Sequence, residues 1–219
     1  WLAEMGMLDF AGSAVVHATG GWAAFIGAKL LGARIGKFNK NGSANAIMGH
    51  NIPIAALGVF ILWFGWFGFN AGSTLSGMDY HGISLVMLNT NLSAAAAAIV
   101  SMIVVWIQFG KPDLSMTMNG ALAGLVAITA PCAFVSPLAA IAIGVVAGIL
   151  IVYGVEFIDR LHVDDPVGAV AVHGLNGVWG TLAVGLFHTT NGLFYGAGWH
   201  QLAVQAIGIV SVVAFVIVV

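Results

Sequence analysis

Seven apolar runs divided by short polar junctions constrain this chain more than any other feature. A helix that crosses the hydrocarbon core of a bilayer needs about 20 mostly apolar residues. The runs lie near 9–31, 52–76, 83–109, 117–135, 138–157, 166–187 and 199–219. Only 6% of the residues are charged, against roughly 25% in a soluble globular protein. The fold class read from this pattern is an all-α integral membrane protein, a helical bundle in the lipid bilayer. Its 30 glycines suit that reading, because small residues let helix backbones approach closely where lipid removes the hydrophobic drive. A net charge of −2 without a basic run argues against a nucleic-acid partner. Cys132 is the single cysteine, so neither an internal disulfide nor a cysteine metal cluster is expected. The chain opens at Trp1 without an initiator Met or a signal peptide, the pattern expected of a fragment.

The cations orient the spans. Lys29, Arg34, Lys37 and Lys40 fall at the first junction, Lys111 at the third and Arg160 at the fifth; the other junctions have none. All six therefore lie on one side, which loops rich in Lys and Arg mark as cytoplasmic. The amino end of the first span is outside.

DFAGSAVVH, Asp9 to His17, has an echo in DPVGAVAVH, Asp165 to His173. Asp, Gly, Val and His recur at the same offsets, and Gly21 and Gly177 follow the two histidines at equal distance. The motifs open the first and sixth spans, which must run in opposite directions. Eight residues of helix rise about 12 Å, so both histidines are expected near the midplane, reached from opposite sides. That is the signature of an inverted-topology repeat, with the functional site where the repeats meet. Asp9 and Asp165 are expected in the first helical turn, where a carboxylate caps free N–H groups and complements the helix dipole. Capping alone explains both acids, and the same charges tilt the local field toward cations. Intramembrane ionisable groups are costly and mark ion or proton paths, which singles out His17 and His173; a hydrogen-bonded core role is the competing reading.

The stretch GWFGFNAGS, residues 65–73, puts Trp66, Phe69 and Ser73 on one helical stripe and Gly65, Gly68 and Gly72 on another. The glycine stripe reads as a packing groove. The aromatic stripe, placed near the outer mouth, suits either a small cation held by cation–π attraction and a hydroxyl or an interfacial aromatic belt. His50, His81, His162, His188 and His200 lie in or beside loops and read as solvated. Neither histidine motif has the i,i+4 spacing of a metal site, so an enzyme is not expected, nor any metal or cofactor.

DFAGSAVVH, GWFGFNAGS and VDDPVGAVAVHGLNGVWGTLAVGLF, in this order and spacing, resemble ammonium transporters of the Amt/Mep/Rh family, Amt branch. The resemblance covers essentially the whole chain. It implies an eleven-span fold of two inverted five-span repeats and one further helix, of which these seven resemble the fifth to the eleventh. On that template residues 1–31 end the first repeat, 52–187 form the second and 199–219 are the extra helix. His17 and His173 match the twin histidines lining the family's hydrophobic pore, Phe69 a ring of its phenylalanine gate, and Ser73 the hydroxyl of its outer ammonium site. Asp9 matches the acid below that site and Asp165 its inner counterpart. The outer-site tryptophan belongs to a segment before Trp1, and the second gate ring to an earlier span. The implied activity is passage of ammonium or ammonia across the cell membrane in a homotrimer, with a PII-type signal protein as a partner at the cytoplasmic face. A neutral channel for ammonia or carbon dioxide and a sensor domain are the alternatives. The chain by itself, lacking four helices of the first repeat, is expected not to transport.

Overall fold

The computed structural model describes residues 1–219; its regular elements are all helical, and the loops between them contain one isolated bridge, Phe38 to Ala44. A π-helical segment, Ser13–Ala18, continues into α1 (Thr19–Leu31). Next come α2 (Ile52–Gly72), α3 (Tyr80–Phe109), α4 (Leu114–Thr129) and α5 (Pro137–Arg160). A second π-helical segment, Val170–Leu175, continues into α6 (Asn176–Phe187), and a 3₁₀ turn (Leu193–Tyr195) precedes α7 (His200–Val218).

Local chemistry sets the boundaries. Asn51, Asp79, Asp113 and Ser136 cap α2 to α5, each accepting the N–H of the residue three further on. Such caps satisfy donors that the helix itself cannot. Gly32 and Gly110 end α1 and α3 at φ 81° and 76°, a conformation glycine adopts without strain.

Six of the helical stretches are long and apolar enough to cross a membrane; α4, with 16 residues, is shorter. The expected span at 117–135 is therefore a helix that stops at Thr129 and turns before Pro131. Its shortness has a structural cause. The final turn of α4 abuts the start of the first π segment: Ala11 N–H donates to Thr129 O (3.0 Å), Ser13 Oγ donates to Val126 O (2.7 Å), and Ala130 N–H donates to Ser13 Oγ (2.7 Å). Backbone groups that lipid could not satisfy are thus met within the bundle.

The core is a three-helix wedge. Ser93, Ala97 and Ser101 of α3 face Gly120 and Gly124 of α4 and Gly144 and Gly148 of α5. A Cβ on Gly124 or Gly148 would stand 2.5 or 2.6 Å from a carbonyl oxygen of α3. This close approach is how small residues hold helices together in lipid. Gly58, Gly65, Gly68 and Gly72 of α2 meet nothing within 4 Å, so the glycine stripe expected to be a packing groove is uncovered in this chain. Only Trp66, Asn70 and Ala71 of α2 are buried.

The cation-bearing junctions share one face. Arg34 pairs with Asp164 (2.7 Å) and Lys37 with Asp159 (2.8 Å), joining the 32–51 loop to the end of α5 and the approach to α6. The Arg34 guanidinium, donating to the Asp164 carboxylate, holds that carboxyl at about 2.

Candidate functional site

The two motifs meet, and each histidine lies in a π-helical segment that the sequence pattern did not reveal. His17 N–H donates to Gly12 O, five residues back, at 3.0 Å. A π turn takes one more residue than an α turn, is rare, and is found mainly at functional sites. Asp9 and Asp165 are not in the first helical turn, as expected, but in the loops before the helices. From there Asp9 Oδ2 accepts the N–H groups of Ala14 (3.1 Å) and Val15 (3.0 Å), and Asp165 those of Ala169 (2.8 Å) and Val170 (2.7 Å). Their capping role stands, with a longer reach. The helical rise before His17 is consequently about 6 Å instead of about 12 Å.

The imidazoles of His17 and His173 approach with Nδ1 to Nδ1 at 3.2 Å and ring centroids 5.2 Å apart, stacked at 22°. The contact assigns opposite tautomers to neutral rings: one Nδ1 carries the proton and the other accepts it, leaving one bare Nε2 and one Nε2–H. His17 Nε2 is buried without a protein partner. Just beyond the rings the helices cross at Gly21 and Gly174, where a Cβ on Gly21 would collide with the Gly174 backbone.

Trp66 stacks on His17 at 5.0 Å and 18°, and Phe69 lies 5.7 Å from each of those rings. The aromatic stripe was expected at the outer mouth. Trp66 is instead buried at the level of His17, with Nε1 donating to Thr129 Oγ1 at 3.0 Å. Thr129 and Ser13 are site-shaping residues that spacing alone did not single out. Ser73 ends α2 and donates to the Phe69 carbonyl of its own helix (2.9 Å). His188 is not simply solvated: its ring stacks on Phe134 at 5.2 Å, and its Nδ1 accepts the N–H of Thr190 and Asn191.

On the cation-bearing side a cavity of about 590 Å³ runs from Arg34, Lys37 and Asp159 past Asp165 to Val172 and His173. Of the histidine pair, His173 lines this cavity. Among groups of three or more His, Cys, Asp or Glu side chains, none is arranged to hold a metal ion.

Comparison with known proteins decides the relationship. The profile of the Ammonium Transporter Family matches residues 1–219. The chain belongs to the Ammonium Transporter Family. Ammonium transporter Amt2 of Archaeoglobus fulgidus is 50% identical over 214 residues, covering 92% of this chain and 45% of that protein. The ammonium transporter of Bacillus subtilis is 40% identical over 232 residues, covering 100% of this chain and 55% of its own. Among solved structures, a Sensor Amt Protein superimposes with a TM-score of 0.93 at 45% identity, covering 99% of this chain and 54% of that one. Candida albicans Mep2 superimposes at 0.90 with 32% identity, covering 100% and 50%. The chain spans about half the length of the curated relatives it matches. Family membership and six apolar spans make it part of a multi-pass membrane protein, an all-α Amt-type fold.

Proposed function

We propose that this protein carries ammonium across the cell membrane by passing ammonia over the His17–His173 pair after a proton is removed at the outer mouth. The observation that carries this reading is the 3.2 Å Nδ1 contact between two histidines on opposed helices, in a chain whose relatives are named ammonium transporters. Ammonium and potassium are of similar size, so a cage of carbonyls separates them poorly. Ammonium alone can shed its charge. A charge at the bilayer centre costs at least several kcal/mol, so the apolar passage rejects an ion that cannot deprotonate. Ammonia suits the tautomer pair, because it donates N–H to the bare Nε2 and accepts from the other Nε2–H. The stacked rings offer the released proton a parallel path, which makes the transport electrogenic. Phe69 and Trp66 strip water above His17, Ser73 and Asp9 favour the arriving cation, and Asp165 does so on the inner side.

The division into residues 1–31, 52–187 and 199–219 as repeat end, second repeat and extra helix belongs to the same proposal. It is supported by the paired DFAGSAVVH and DPVGAVAVH motifs and by their matching π segments. Homotrimeric assembly and docking of a PII-type signal protein on the cation-bearing face are proposed from the family resemblance. The test is solid-supported-membrane current after an ammonium jump, with protein expressed from its complete gene and potassium as control. Ammonium current without potassium current supports the reading. Ammonium-dependent uptake without current makes the protein a neutral channel. The likeness to a Sensor Amt Protein favours one further reading, an ammonium-sensing domain, which binding without transport would select.

A further inference from the structure

Both histidine-bearing segments end on a residue that bonds the same carbonyl twice. Thr19 directs its N–H and its Oγ1 at Ala14 O, the side-chain bond measuring 3.3 Å. Asn176 directs its N–H and its Nδ2 at Ala171 O, at 3.0 Å for the side chain. In each case the acceptor is five residues back, so the extra bond falls on the wide turn itself. A threonine in an ordinary helix bonds back three or four residues, as Thr129 does to Leu125 O at 2.7 Å.

The two clamps are not a relic of the repeat. Aligned on Asp9 and Asp165, Thr19 falls opposite Leu175 and Asn176 opposite Gly20. Different side chains from different positions serve the same turn. Asn176 is fully buried, while Thr19 is partly exposed.

We propose that Thr19 and Asn176 are positioning residues for transport, whose side chains hold the wide turns that aim His17 and His173 at each other. The inference rests on the reading of the histidine pair as the transport path. Geometry supplies the reason. Each α-helical residue turns the chain by about 100°, so closing a π turn to an α turn rotates the two flanking stretches of helix by about that angle relative to one another. The carboxylates of Asp9 and Asp165 hold the amino ends of both segments, and on their carboxyl sides Gly21 of α1 packs on the Gly174 backbone and Gly177 of α6 on the backbone of Ser13 and Ala18. The second donor to the wide-turn carbonyl favours the π over the α arrangement, and the Nδ1 contact needs the π arrangement in both segments.

The experiment uses protein expressed from its complete gene, with ¹⁵N-labelled histidine, in bilayers. Thr19→Val and Asn176→Leu remove the side-chain donors at similar volume; Thr19→Ser and Asn176→Thr keep a hydroxyl donor. The first pair is expected to lose the shared Nδ1–H signal in solid-state NMR. Ammonium current per folded molecule is expected to fall by about fivefold, the factor one typical hydrogen bond sets. The second pair is expected to keep both. Unchanged signal and current in Thr19→Val and Asn176→Leu would overturn the proposal, and should Asn176→Leu misfold, the partly exposed Thr19 carries the test alone. Signal lost with current intact also overturns it as a transport role. A wild type that shows the shared signal but no ammonium current removes the proposed function, while the signal in the variants still decides the clamp.

Discussion

Gly21→Ala measures how much the histidine contact matters, and its neighbour supplies the control. A Cβ at position 21 would stand 2.5 Å from Gly174 Cα and 2.7 Å from His173 C, where ordinary contact begins at 3.4 Å. The Gly174 backbone nitrogen is nearer still, so the helices must part by more than about 1 Å, overpacking that costs about 1–3 kcal/mol. The Nδ1 pair, now at 3.2 Å, would move past the reach of a hydrogen bond, about 3.2 Å at most. Gly20→Ala, one residue earlier, meets nothing within 4 Å and gains helix propensity of about 0.5–1 kcal/mol. Both variants are reconstituted from the complete gene, thermal unfolding in detergent gives stability, and solid-supported-membrane current gives transport. Gly21→Ala is expected to lower ammonium current per folded molecule by about tenfold, the equivalent of 1.4 kcal/mol, while Gly20→Ala transports at the wild-type rate and unfolds at least as high. Equal currents in the two variants would refute the idea that the helix crossing sets the pore.

His17→Glu is expected to admit potassium, because a carboxylate beside Trp66 invites a charged, hydrated ion into the passage; unchanged exclusion in a potassium-jump measurement counts against deprotonation as the filter. Asp9→Ala removes the acceptor of Ala14 and Val15 N–H and is expected to cost about 1 kcal/mol, the loss of a cap, in detergent unfolding. Asp9→Asn keeps an acceptor and is expected to fold normally with reduced current, so full current in Asp9→Asn would confine the acid to capping. The Arg34–Asp164 pair sets an acid limit. Asp164 is held at about 2 in the folded protein, below the usual carboxylate value of about 3.9. Its contribution is present above pH about 4 and is lost as pH falls toward 2. The melting temperature of wild type is thus expected to approach that of Asp164→Asn over this window, and a gap that stays constant would exclude the linkage.

The sequence by itself determined the apolar spans, the shared side of the six cations and the pairing of two histidine motifs on opposed helices. These are properties of composition and order along one dimension, and they survive whatever the helices do in detail. The Arg34–Asp164 and Lys37–Asp159 pairs bring the first and fifth junctions together, and the 3.2 Å histidine contact closes the two motifs onto each other. The start of each helix and the direction of each ring were decided elsewhere. A rise counted from Asp9 assumed helix from the first residue, yet Asp9 caps from a loop because Phe10 and Ala11 are engaged with the end of α4. The direction of each imidazole depends on a wide turn, which no residue pattern announces, since the energy of one extra residue per turn is met by Thr19, Asn176 and the packing around them. Trp66 reads as a mouth residue by its distance from the end of α2, but the acceptor for its Nε1–H is Thr129 on another helix. The glycines of α2 encode a close approach without naming the surface approached. Which partner a donor finds, and how far a ring turns to find it, depends on helices far apart in the chain, and only their packing decides it.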